Sequence, residues 1–345
     1  MFQQRVDKLR QKLVDENIDL ALITDDDSIY YYTGYYDYLH MDFGRPTILL
    51  IPKDDESALI TPLIDIKLLE DGAVIDKILP WNDGVGSEWK EYLPLYLTKD
   101  RNVALEYNLI PALVRNYVYT LIDEKSVIDV APLVSEMRMI KSSEELKIAR
   151  HAGQVANAMM QAAKNIMSDG VPEYEVALYT SAAGTKKASE ILNKHYPNSR
   201  MSPNIHFLQI MASGEHLPLT HHRASNKILK YGDPVFICFC GMTNFHRFKL
   251  GFDRTFWLGE IKDQSQVKTY EVAVNSQAAA LKVLAPGVSA SSVHAAYAES
   301  IQSSGYPYPT FRCGRSTGFS FVEHPQLVIG EETILQPGMV FAVDG

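Results

Sequence analysis

The chain has 345 residues, enough for about two domains of roughly 150 residues each. Apolar residues make up 46% and charged residues 22%, an ordinary globular composition, and the formal net charge of -9 argues against a nucleic-acid surface or an anionic membrane as partner. No run of about 18 apolar residues suggests a membrane span, and residues 1–8 do not read as a secretory signal, so a cytoplasmic location is expected. Cys238, Cys240 and Cys313 form no disulfide framework and read as thiols of a reducing compartment.

Residues 2–16 place Val6, Leu9, Leu13 and Val14 at helical spacing, and Asn17-Ile18-Asp19 breaks the pattern before a short apolar strand over 20–24. Asp25-Asp26-Asp27 reads as a solvated turn, because three consecutive acids point in different directions. Residues 29–38 are dense in tyrosine around Gly34, a composition suited to a pocket rim or a subunit interface. Phe43-Gly44-Arg45-Pro46 leads into a strand over 47–52. Strand-like and helix-like pieces continue to alternate through 103–107 and 126–130, which predicts an α/β domain over residues 1–135.

The junction follows at residues 136–142. Ser142 or Ser143 is expected to cap a long helix whose first turn carries Glu144 and Glu145. Asp169-Gly170 stops it near Met167, and Pro172 opens a second helix that runs to His195. A strand is expected over 205–212. The stretch 216–255 then carries His216, His221 and His222, a turn at Gly232-Asp233-Pro234, an apolar run over 235–240, a basic-aromatic segment over 244–249, and a second β-like run with Asp253, Arg254 and Thr255. A histidine-bearing loop leading into a hairpin that carries an acid suits an active site; a surface hairpin with scattered histidines is the alternative. In Cys238-Phe239-Cys240 both thiols face one side of a strand, which reads as core packing. Helices over 265–284 and 293–301, a glycine-bearing loop or strand over 314–321, a turn at Gln336-Pro337-Gly338 and a strand over 339–343 complete the chain. An apolar strand ending at Asp344-Gly345 with nothing to cover it suggests that a C-terminal portion is missing.

Met137-Arg138-Met139-Ile140-Lys141-Ser142-Ser143-Glu144-Glu145 followed by Gly170-Val171-Pro172-Glu173-Tyr174-Glu175-Val176-Ala177, then 213–233, 253–255 and 335–344, resembles the "pita-bread" family of methionine aminopeptidase, prolidase, Xaa-Pro aminopeptidase and creatinase. Tyr30-Tyr31-Tyr32-Thr33-Gly34 and Phe43-Gly44-Arg45 are similar to the N-terminal domain of creatinase and prolidase. The resemblance implies two domains: a creatinase/prolidase-type α/β domain over 1–135 and a pita-bread α+β domain, incomplete, over 136–345.

In the peptidases of this family, five carboxylate and histidine ligands hold two metal ions. Carried over position by position, the first four fall on Phe239, Gly251, Arg315 and Asp344, and the fifth lies beyond residue 345. Phenylalanine and glycine offer no side-chain donor and arginine is a permanent cation, so no metal and no cofactor is expected. The resemblance to creatinase and ectoine hydrolase is closer. It implies His221 as the catalytic histidine and Asp253 and Asp344 as the acids that hold a substrate cation, each an aspartate where creatinase has glutamate. It further implies Phe43 and Arg45 as residues reaching over a neighbouring subunit's site, hence a homodimer. Arg315, Glu323 and His222 are further candidates for substrate contact. The expected activity is metal-independent hydrolysis of a C–N bond in a small zwitterionic amidine or guanidino compound. A metallopeptidase of the Xaa-Pro dipeptidase or aminopeptidase type, and a non-catalytic ligand-binding member, are the alternatives.

Overall fold

The structure is a computed structural model describing residues 1–35, 44–70, 72–203, 210–239 and 243–344, with the side chains of Thr243 and Asn244 left out. It divides into two compact units, Met1–Met137 and Arg138–Gly345.

The first unit runs α1 (Phe2–Asp15), β1 (Leu20–Ile23), α2 (Asp26–Thr33), β2 (Ile48–Pro52), β3 (Ala58–Pro62), α3 (Ile66–Glu70), β4 (Lys77–Trp81), β5 (Val103–Leu105), α4 (Ala112–Leu121), β6 (Val127–Asp129) and α5 (Ala131–Met139). Its six strands form one mixed sheet in the order β4-β3-β2-β1-β5-β6, with β2 antiparallel to both neighbours and the other pairings parallel. Leu-Ala-Leu-Ile in β1 and Ile-Leu-Leu-Ile-Pro in β2 are buried at every position, the pattern of strands covered on both faces.

Two expectations are corrected here. Asp25 is the N-cap of α2, its carboxylate accepting from Ser28 N at 2.9 Å, and Asp26 and Asp27 fill the first turn. Acids at this end complement the helix dipole, so the triplet starts a helix and is not a solvated turn. Tyr30, Tyr31 and Tyr32 are 5%, 3% and 0% exposed, in the core of the unit rather than at a rim. The Arg5 guanidinium lies 4.0 Å from the Tyr31 ring centroid and donates to Tyr31 O at 2.6 Å.

The second unit opens with α6 (Ser143–Ile166) and α7 (Glu173–His195), then β7 (Ile210–Ser213), β8 (Pro234–Cys238), β9 (Thr243–Phe245), β10 (Phe248–Leu250), β11 (Asp253–Trp257), α8 (Gln264–Val283), α9 (Ala290–Ser303), β12 (Gly314–Ser316), β13 (Glu323–Leu327) and β14 (Phe341–Val343). Ser142 caps α6 through a complete capping box: Glu145 N donates to Ser142 Oγ, and Ser142 N donates to Glu145 Oε2 at 2.6 Å. The strands form two three-stranded sheets, β11-β8-β7 and β13-β12-β14, and a separate hairpin, β9-β10. His246 and Arg247 turn that hairpin with φ of +51° and +59°. Consecutive left-handed residues are the two-residue turn that matches strand twist, normally built with Asn-Gly. Cys313, Ala280, Val293, Tyr297 and Leu327 pack a core between α8, α9 and the β12 sheet. Cys313 is a free thiol, but Cys238 is disulfide-bonded, a departure from the expectation of thiols throughout.

Candidate active-site pocket

The two sheets supply the acids. Asp253 opens β11, opposite Cys238 of β8. Asp344 follows β14, its backbone N–H bonded to Cys313 O at 2.8 Å. Both line one pocket of about 320 Å³ with Gly251, Phe252, Gln277, Leu281, Leu284 and Phe341. Burial pushes the Asp253 carboxyl above the usual carboxylate range, and the negative charge of Asp344 raises it further. Burial also raises Asp344, with partial relief from Arg315. Two buried acids in one pocket, one of them disfavoured by the charge of the other, form a site that gains by binding a cation.

Arg315 belongs to the same constellation. It sits at the centre of the second sheet on β12, with its side chain 5% exposed and Nη1 3.4 Å from Asp344 Oδ2. Its Nε donates to Phe321 O at 3.4 Å and its guanidinium lies 4.9 Å from the Phe321 ring centroid. The structure thus brings Asp253, Asp344 and Arg315 together.

His221 stands apart on the loop between β7 and β8. It is exposed and makes no hydrogen bond or ion pair among the described residues. The loop itself is pinned: Met211 N donates to His222 O at 3.0 Å, His222 N donates to Leu219 O at 2.9 Å, and Ile210 bridges Arg223. Asp253, Cys238, Ile210 and Arg223 are successive rungs of this sheet. At about 4.8 Å per strand, the Arg223 backbone is roughly 14 Å from that of Asp253. His221 does not line the acid pocket.

The remaining predicted residues are placed differently. His222 turns inward: its Nδ1 is 2.8 Å from Met211 O and 3.9 Å from Glu173 Oε2. Glu323 is withdrawn from ligand contact. Its side chain is 5% exposed and pairs at 2.9 Å with Lys141 Nζ, itself 1% exposed, while Ser320 N donates to the other oxygen. Gly318 packs so closely on this carboxylate that a Cβ there would overlap it. Glu323 is therefore a buried structural acid, a correction to its expected substrate role. In the first unit Arg45 is ion-paired with Asp83. Phe43 lies outside the described residues.

Sequence reasoning missed two residues. Gln277, on the α8 face toward β14, donates from Nε2 to Val343 O at 2.8 Å and lines the pocket; its helical spacing carries no signal of that. Glu173, read only as the start of a helix, is fully buried and accepts from Ser213 Oγ at 2.6 Å and from Ser225 Oγ at 2.7 Å. An acid inside the first turn behind Pro172 was the available clue.

Fold and pocket together define a two-domain chain with a pita-bread second domain. Residues 147–344 match metallopeptidase family M24, a family of hydrolases, and residues 5–140 match the creatinase/prolidase N-terminal domain; the chain belongs to family M24. It is 25% identical over 362 residues to creatinase of Bacillus sp. strain B-0618, covering 99% of this chain and 82% of that protein. It is 26% identical over 351 residues to the Xaa-Pro dipeptidase of Pyrococcus furiosus, covering 99% and 90%. It is 24% identical over 361 residues to the agropine synthesis cyclase of Rhizobium rhizogenes, covering 100% and 88%. The prolidase of Pyrococcus horikoshii shares the fold with a TM-score of 0.83 at 22% identity, covering 99% of this chain and 89% of that one.

The family implies a pair of metal ions. At the matched positions Phe239 is fully buried without a donor, Gly251 has no side chain, and Arg315 places a cation 3.4 Å from the one remaining acid. This donor set does not fit a dimetal centre.

Proposed function

We propose that the chain hydrolyses a C–N bond in a small zwitterion carrying a delocalised cation, a creatine- or ectoine-like compound, without metal. The observation that carries this reading is the pair Asp253 and Asp344 lining one pocket, with the charge of Asp344 raising the cost of ionising Asp253. A planar amidinium or guanidinium between them donates a charge-assisted hydrogen bond to each and relieves both carboxylates. The volume of about 320 Å³ suits one small molecule. His221 is assigned the proton transfers, taking a proton from the attacking water and returning it to the departing nitrogen. Arg45, from a neighbouring chain of a homodimer, is assigned the substrate carboxylate, with Phe43 as an apolar cover. The relatives named creatinase and Xaa-Pro dipeptidase match over comparable lengths, and the assay separates them.

Creatine, ectoine, agropine and a Xaa-Pro dipeptide are offered to the purified chain, and product is followed with and without chelator. Chelator-resistant turnover of an amidine or guanidino compound is expected. His221→Ala is expected to lower kcat by about 100-fold or more while circular dichroism stays native. Near-normal turnover in that variant removes His221 from the chemistry. Cleavage of the dipeptide alone, abolished by chelator, replaces this reading with a metallopeptidase.

A further inference from the structure

We propose that Glu173, His216 and His222 form a binding site for one divalent transition-metal ion, zinc by its donor set, separate from the acid pocket. One ligand atom from each of the three lies within 4.8 Å of the others. Two imidazoles and a carboxylate are the ligands zinc takes in three-ligand sites with an open fourth position.

The surrounding contacts are those a metal site needs. Glu173 is 0% exposed on the first turn of α7, and its oxygens are held by Ser213 Oγ, Ser225 Oγ and Ser225 N at 2.6, 2.7 and 3.0 Å. Met211 O accepts from His222 Nδ1 at 2.8 Å, which fixes the ring and leaves Nε2 with its lone pair. A backbone carbonyl behind a ligating histidine is the usual outer support of such a site. His216 Nδ1 is buried without a hydrogen-bond partner among the described residues, and its ring lies 4.4 Å from that of His222.

Charge points the same way. The nearest lysine, Lys227, reaches Ser213 Oγ at 2.9 Å but is paired with Asp233 at 3.0 Å. The only cation-forming group in ion-pair range of the buried Glu173 among the described residues is His222, at 3.9 Å. A bound dication compensates this carboxylate and uses both imidazoles neutral. Tetrahedral zinc at its normal bond lengths sets its ligand atoms about 3.4 Å apart. Binding would draw the three ligand atoms closer than their present spacing of up to 4.8 Å, with His216 half-buried on the short Gly214–His216 turn. The ion would tie the N-terminus of α7 to the loop that carries His221.

The test is calorimetric titration of the full chain, freed of metal by chelator and dialysis, with zinc alone. One saturable equivalent is expected. His216→Ala and His222→Ala are each expected to weaken it roughly tenfold or more, with native circular dichroism, and Asp253→Asn to leave it unchanged. Failure to saturate overturns the proposal, as does an affinity indifferent to both histidine variants. Two equivalents lost in Asp253→Asn would also overturn it, by moving the metal to the acid pocket.

Discussion

Ionising Asp253 in the native pocket takes its carboxylate out of water beside the negative charge of Asp344. Its folded pKa is therefore raised, and the sign of the linkage follows. The proton is held more tightly folded than unfolded, so the stabilisation is complete below the unfolded value near 3.9 and is lost as pH rises through the folded one. At neutral pH the ionised acid is a net cost. Asp253→Asn is expected to raise Tm by a few degrees at pH 7, an advantage that disappears below about pH 4. Thermal unfolding at the two pH values checks this, and a lower Tm at pH 7 contradicts it. The same variant is expected to lose the proposed substrate. Asp253 and Asp344 were legible as candidates because each follows a local motif. Glu323 was not, because Lys141, which removes it from ligand contact, lies 182 residues earlier. Motif position places a residue near a site; only packing says whether its charge is already spent.

The β9-β10 hairpin shows what sequence pattern misses at the scale of an element. Residues 244–249 read only as basic and aromatic, with no Asn-Gly to mark a turn. His246 and Arg247 nonetheless take the left-handed conformation there, and the hairpin packs on α6 and the end of α7. Phe245 and His246 lie against Tyr196, whose hydroxyl is 2.9 Å from His151 Nδ1, and His195 stacks on His151 at 4.6 Å. Burial pushes Tyr196 up to about 12 and pushes His246 down to about 4, with His151 adding to the second effect. A depressed histidine contributes stability above its unfolded pKa near 6.5 and loses it as pH falls through about 4. His246→Asn keeps a residue tolerant of positive φ and removes the titration. It is expected to flatten the dependence of unfolding free energy on pH between about 6.5 and 4, by at most about 1.4 kcal/mol per pH unit. Denaturant melts across that range measure the slope, and an unchanged slope shows that other groups set it. The helices were legible because caps and apolar spacing are local; Ser142 and Glu145 announced α6 within four residues.

At the scale of the molecule, the division into an α/β unit and a second unit with two small sheets follows from alternation of strand and helix signals before residue 135 and long helices after it. Strand order was not legible, since β1 pairs with β5 across more than eighty residues of chain. The proposed homodimer is testable through complementation. A particle of about twice the 38.8 kDa chain mass is expected by sedimentation. Arg45→Ala and His221→Ala chains are each expected to be inactive alone and to recover activity when mixed, because one mixed site then holds both residues. No recovery, or a monomer, returns Arg45 to its pairing with Asp83 and removes it from catalysis.

The Lys141–Glu323 pair also bears on how the chain is made. A lysine 1% exposed in the finished fold waits for a carboxylate 182 residues downstream. At about 5–20 residues per second, ribosomal synthesis delivers that partner roughly 10–40 s later. Throughout this interval Lys141, one residue before the cap of α6, stays hydrated on an unfinished surface. The native burial of Lys141 is therefore complete only after β13 has emerged.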